Sequence, residues 1–148
     1  MRKAHGSSFA IDPKRTAVLV LHMMNEQLKF NPGVSFHGPE FPEANRKLGI
    51  LEHTRVVLAA SRRKGIPVIS VRLAYRPGPP EIPPTEELIP GRRLTRQQGH
   101  YQEGSWNTQI VAELKPRKTD IVITNHTPSA FGHNELDAIL RARNIRFL

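Results

Sequence analysis

The side chains able to do chemistry in this sequence sit where apolar runs end. His22 closes the run Thr16 to His22, and Asn125 closes the run Asp120 to Asn125. Histidine exchanges a proton near neutral pH and can ligate a metal, so His22 is a candidate general acid or base. Its plainer reading is a histidine hydrogen-bonded at a strand end. Asn125 donates and accepts hydrogen bonds without charge; it can orient a ligand or a loop but gives no electrostatic stabilisation of its own. His126 and His133 flank the turn Ser129-Ala130-Phe131, and together with His22 they raise the question of a metal cluster. With no carboxylate companion in the pattern they read as surface histidines, and neither a metal nor a cofactor is expected. Phe131 reads as core or pocket wall, and Trp106 as an anchor of the core or of a lid that also bounds a pocket. Tyr75 and Arg76 could meet an anionic substrate or simply be solvated in a loop. Glu26 reads as a solvent-facing loop side chain. The sequence contains no cysteine, so these residues supply no thiol nucleophile, disulfide or thiolate zinc site.

The elements that must position these groups alternate. Thr16 to His22 is rich in β-branched residues with no polar alternation, the pattern of a strand buried on both faces of a sheet. Helical text follows from Pro39, with Leu48, Leu51, Val57 and Leu58 near one face, and ends at Lys64, where Gly65 is placed to cap it. Pro67 opens a second strand, Val68 to Arg72. Proline is too dense between Pro77 and Pro90 for helix or central strand, so that stretch is a surface loop or lid. A short amphipathic helix is expected over Asn107 to Leu114 with Ile110, Val111 and Leu114 inward, then a third strand over Asp120 to Asn125. Asn134 is a suitable N-cap for a helix burying Leu136, Ile139 and Leu140, and Asn144 a suitable stop. Ile145 to Leu148 begins a fourth strand. This order is the βαβ alternation of a parallel α/β sheet, whose ligands bind at the carboxyl ends of the strands. His22 and Asn125 both lie there.

Composition narrows the function classes. The 148 residues suit one domain with one core, and 38% hydrophobic with 24% charged residues is a globular balance. The longest apolar run, Ala17 to Leu21 extended by Met23 and Met24, is too short to span a bilayer, and its flanks do not fit a secretory signal, so cytoplasm is the default compartment. The 22 Lys and Arg against 13 Asp and Glu give +9, which raises nucleic-acid binding as a hypothesis. Against it stand local clustering and few aromatics. Arg62, Arg63 and Lys64 read as a helix C-terminus, and Lys115, Arg117 and Lys118 as a turn before a strand. An anionic small substrate or an acidic partner segment explains the charge as well.

The run Ile11 to Asn25 resembles the opening strand of the isochorismatase-like hydrolases, the cysteine hydrolase superfamily. Gly65 to Arg72 is similar to the second strand of that family, Gly104 to Leu114 to the segment before its third, and Asp120 to Phe131 with Leu136 to Ile145 to its Ser-Ala-Phe turn and following helix. The resemblance covers the whole chain and implies a three-layer α/β sandwich around a parallel, Rossmann-like sheet. It also implies a cysteine nucleophile, an aspartate that takes its proton and a lysine that stabilises charge. In this sequence the aspartate position is His22 and the lysine position, four residues before Ser129, is Asn125; Glu26 is a substitute carboxylate beside them. The cysteine belongs after the fourth strand, so the domain spanning 1–148 is expected to lack its C-terminal strands. The resulting expectation is a hydrolase with an altered active site acting on a small amide, imide or enol-ether carboxylate. In it, His22 is acid or base, Asn125 orients substrate, and Phe131, Trp106, Tyr75 and Ser129 bound the pocket. A non-catalytic ligand-binding or stabilising subunit of a homo-oligomer is the alternative, and a basic nucleic-acid-binding protein the third reading.

Overall fold

The computed structural model describes residues 10–82 and 95–148. Its elements in chain order are β1 (Val18–Leu21), α1 (Asn25–Leu28), α2 (Glu40–Lys47), α3 (Ile50–Arg63), β2 (Val68–Leu73), two 3-10 turns (Trp106–Thr108 and Ala112–Leu114), β3 (Ile121–Asn125) and α4 (Leu136–Ala142). The strands form one parallel sheet in the order β1-β2-β3, with Val18 opposite Val68 and Ile69 opposite Ile121.

Apolar side chains alternate through the sheet into two cores, which is why helices cover both faces. On one face Ala17, Ile69, Val71 and Ile123 pack under Leu136 and Leu140 of α4. On the other, Val20 and Val68 pack under Leu58 of α3 together with Val111 and Leu114 of the turn segment. The expected α/β layering is therefore present, with β2 rather than β1 as the strand buried on both faces. Val68, Ile69, Ser70 and Val71 are all buried, whereas Leu21 of β1 is 44% exposed. The cause is pairing: β2 has a neighbour along each edge, while among the described residues the outer side of β1 is met just before the strand, where Phe147 bridges Thr16 in parallel. There the Ala17 N–H donates to the Phe147 carbonyl at 3.0 Å and the Arg146 N–H to the Arg15 carbonyl at 2.7 Å, so the expected fourth strand is an isolated bridge beside the first rather than a strand of the sheet.

Two helix expectations are corrected. The helical text from Pro39 to Lys64 is two helices, because Gly49 adopts φ +64° and turns the chain between α2 and α3. The helix expected over Asn107 to Leu114 is instead two 3-10 turns around an extended pair. Ile110 bridges Met24 in antiparallel sense, the Asn25 N–H donates to the Gln109 carbonyl and the Val111 N–H to the Met23 carbonyl. Backbone groups committed to the segment after β1 cannot close i to i−4 bonds. Most of the proline-rich loop, residues 83–90, lies outside the described residues, as do the arginines at 92 and 93. The Arg62 guanidinium caps no carbonyl; it pairs with the nearly buried Asp120 at 2.5 Å and ties the end of α3 to the start of β3. Among the described residues no helix is long and apolar enough to cross a membrane.

Candidate active site at the carboxyl ends of the strands

His22 follows β1 with a left-handed backbone, φ +53°. Its N–H still donates to the Val71 carbonyl at 2.9 Å, continuing the ladder, while its own carbonyl accepts the Met24 N–H at 2.8 Å. The chain thus reverses at this one residue. A non-glycine side chain in that conformation costs about 1–2 kcal/mol, and such strain collects at functional sites. The imidazole is half-buried, and its Nε2 is sealed from solvent with no hydrogen-bond partner among the described residues. Burial lowers its pKa below the ordinary histidine value, which leaves a neutral ring at physiological pH. In the tautomer with its hydrogen on Nδ1, that unpartnered Nε2 is a proton acceptor.

Asn125 ends β3 and is completely buried. Its Nδ2 donates to the Thr127 carbonyl at 2.5 Å and to the Ser129 carbonyl, while its Oδ1 accepts from the Thr127 N–H at 3.4 Å and hydroxyl at 3.3 Å. The amide is therefore committed to the turn after β3. Of its two expected roles, orienting a loop is the one its bonds perform; with both amide hydrogens engaged it does not present them to a ligand. Across β2, His22 and Asn125 lie about two strand spacings apart, ~10 Å.

His126, expected at the surface and without a carboxylate, is neither. Its side chain is 20% exposed, its Nδ1 lies 2.7 Å from the Ala74 carbonyl, and Glu81 and Glu103 each bring an oxygen to 3.8 Å. The loop contacts that carry those acids to the ring are long-range: the Tyr75 N–H donates to the Tyr101 carbonyl at 2.7 Å and the Glu103 N–H to the Tyr75 carbonyl at 2.9 Å. Arg76 pairs with Glu81 at 2.8 Å. His133 is exposed, at φ +56°. Among the described residues no group of three His, Asp or Glu side chains is arranged to hold a metal ion.

The four expected pocket residues separate. Tyr75 is buried and, with Arg76, Pro79, Arg96, His100 and Gln102, lines a 220 Å³ cavity just past β2. The Arg96 guanidinium holds one side of it by donating to the Pro79 carbonyl at 3.0 Å and the Ile82 carbonyl at 2.6 Å. Trp106 is half-buried, and its carbonyl accepts the Asn25 side-chain amide at 3.0 Å. Ser129 is exposed on the turn that Asn125 holds. Phe131 as core is a correction: it is 56% exposed, because Ala130 is the residue of that turn that enters the core. Larger cavities of 430 and 490 Å³ lie away from the strand ends, one between α3 and the second 3-10 turn, the other between α1 and α2.

Glu26, expected in solvent, is fully buried. One oxygen accepts the Phe36 and His37 N–H groups, both at 2.8 Å, and the other accepts the Asn107 side-chain amide. It fixes the loop after α1 against the Trp106–Thr108 turn. Tyr101 at φ +59° stands nearby, its hydroxyl accepting from the Gln27 amide at 3.2 Å; burial and the Glu26 charge hold it protonated well above the ordinary tyrosine pKa. Sequence spacing gave no signal for Glu81, Glu103 or Tyr101 beside these groups, since Glu81 and Glu103 meet His126 from 45 and 23 residues away and Tyr101 meets Gln27 from 74.

A parallel sheet with helices on both faces, and polar groups gathered where its strands end, defines an α/β domain of the Rossmann-like class. The isochorismatase domain pattern matches residues 16–148, and the chain belongs to that family. It is 29% identical to the ureidoacrylate amidohydrolase RutB of Caulobacter segnis over 157 aligned positions, covering 100% of this chain and 64% of that protein. It is 30% identical to RutB of Rhizobium rhizogenes, covering 98% of this chain and 61% of the relative. Among solved structures, it superposes on N-carbamoylsarcosine amidase from Thermoplasma acidophilum with a TM-score of 0.63 and 26% identity, covering 88% of this chain and 63% of that one. A cysteine hydrolase from Pseudomonas syringae pv. phaseolicola, at 22% identity and TM-score 0.69 over 93% of this chain and 58% of that one, shares the fold. The chain thus spans less than two thirds of the length of these relatives.

Proposed function

We propose that this domain serves the hydrolysis of a C–N bond in a small amide or ureido compound bearing a carboxylate, at a site altered from that of its family. The observation that carries this reading is the buried, unpartnered Nε2 of a neutral His22 at the strand end where the family resemblance places an acid/base aspartate. In this reading His22 takes the proton of an attacking water, whose oxygen adds to the carbonyl carbon before the C–N bond breaks. Asn125, at the lysine position, holds the turn rather than stabilising charge. The relatives named ureidoacrylate amidohydrolase and N-carbamoylsarcosine amidase support the substrate class, both names denoting acids with an N-linked carbonyl. The guanidinium lining of the cavity past β2, Arg76 and Arg96, suits the carboxylate. The 148 residues hold no thiol, so a covalent route through cysteine is not drawn from them.

A panel of ureidoacrylate, N-carbamoyl amino acids, simple amides and isochorismate tests the reading. Turnover of an amide or ureido acid that disappears in His22→Ala supports it. Binding without turnover, with His22→Ala unchanged, overturns it in favour of a non-catalytic subunit.

A further inference from the structure

We infer that His126 is a second acid/base residue of this site, delivering a proton from Nε2 to the departing nitrogen; the inference rests on the amide-hydrolase reading above. Three observations carry it. The ring stands one residue past β3 and reaches across to the carbonyl of Ala74, one residue past β2, so it occupies the strand exit that His22 flanks from the β1 side. The 2.7 Å contact to a carbonyl, which only accepts, assigns the proton to Nδ1 and fixes the ring's orientation, leaving Nε2 as the atom that gains and loses a proton. Glu103 faces Nε2 at 3.8 Å and Glu81 faces Nδ1 at 3.8 Å, so the protonated ring has two carboxylates to pair with. Arg76 engages one Glu81 oxygen, while the other is buried with no hydrogen-bond partner among the described residues.

The environments of the two histidines oppose each other. Among the described residues His22 has a buried nitrogen with no acid beside it, whereas His126 has two carboxylates at 3.8 Å that would face it while it carries the proton to be delivered. The step balances without a co-reactant. Water gives hydroxyl to the carbonyl carbon and a proton to His22, the C–N bond breaks, and the nitrogen leaves with the proton from His126 Nε2. Both rings regain their starting protonation as product leaves and the next water enters.

The test is a leaving-group comparison on the full 148-residue protein. His126→Asn keeps a short amide donor toward the Ala74 carbonyl but removes the proton relay, and His126→Gln serves as a second variant. Whichever amide of the panel turns over fastest is compared with the p-nitroanilide of the same acid, whose leaving group departs without full protonation. We expect kcat for the amide to fall about 100-fold with KM nearly unchanged, and the anilide to lose less than about threefold. Nitrogen chemical shifts of the wild-type ring should report the proton on Nδ1 in the neutral form. Equal loss on both substrates, no loss on either, or a proton on Nε2 overturns the inference. Absence of turnover in the wild type overturns the amide-hydrolase reading and this inference with it, a result distinct from an active wild type with an unaffected His126→Asn.

Discussion

Replacing Glu26 by glutamine should destabilise the domain while changing a single atom type. The carboxylate is completely buried and accepts from three donors: two backbone N–H groups at Phe36 and His37 and the amide of Asn107. Glutamine offers one acceptor oxygen and one NH2. If its oxygen keeps the two backbone donors, its NH2 faces the Asn107 NH2, and a buried donor loses its acceptor. Such an orphan costs about 1–3 kcal/mol, and exchange of a charged for a neutral acceptor weakens the two remaining bonds. We therefore expect ~2–3 kcal/mol for Glu26→Gln. Glu26→Ala strands all three donors and should cost more, about 3–5 kcal/mol, a large share of the ~5–15 kcal/mol that a domain of this size commands. Urea denaturation monitored by far-ultraviolet circular dichroism measures both. A double-mutant cycle with Asn107→Ala isolates the pair: with Asn107 removed, Glu26→Gln should lose at least half of its cost, since no opposing donor remains. A Glu26→Gln protein as stable as wild type, or a coupling energy near zero, would refute the buried-acceptor argument and put the side chain back in solvent.

Other perturbations probe the remaining links. Ile123 has no exposed surface and sits between Ile69 and α4, so Ile123→Ala should cost about 2–5 kcal/mol in the same denaturation assay. Gly49→Ala places a methyl 3.2 Å from the His53 ring in a left-handed conformation and should lower stability by about 1–2 kcal/mol, whereas an alanine between two right-handed helices would have stabilised. His22 has its folded-state pKa lowered by burial, so between the folded and unfolded values the unfolded chain binds the extra proton. Stability should fall as pH drops below the unfolded-state value near 6.5, and this part of the acid sensitivity should be absent in His22→Gln, measured by urea midpoints from pH 5 to 8.

The fold was legible because its determinants are local in sequence. β-branched runs between turn residues mark the three strands, and the caps at Gly65 and Asn144, both with positive φ, stop their helices where expected. The N-cap of α4 is Glu135 rather than Asn134, although the Asn134 side chain, one residue earlier, accepts the Leu136 N–H at 2.9 Å. The break at Gly49 is local, but the other helix error has a long-range cause. Apolar spacing over Asn107 to Leu114 fits a helix, and Val111 and Leu114 are indeed inward, but the backbone between them is recruited by Met23 to Asn25, more than eighty residues earlier. Periodicity records which side chains are buried; it does not record which backbone groups have been claimed from elsewhere.

The same distinction separates the parts of the site. His22 and Asn125 were found from sequence because strand ends are where parallel sheets place chemistry, a rule that needs no partner. What each does depends on partners. Asn125 is held by carbonyls two and four residues ahead, so its commitment to the turn is a local fact that an Asx-type reading of Asn-His-Thr-Pro could have reached. His126 takes its meaning from Ala74, Glu81 and Glu103, which the βαβ crossover brings to it from the far side of β2. Glu26 takes its meaning from a loop ten residues on and a turn eighty-one residues on. A carboxylate and an imidazole carry the same letters whether they face water or a buried donor, and long-range pairing decides between a solvated charge, a structural clamp and a proton relay. The residues that a reading by position ranks highest are therefore those at strand ends, while the acids that face His126 enter only once the sheet has closed.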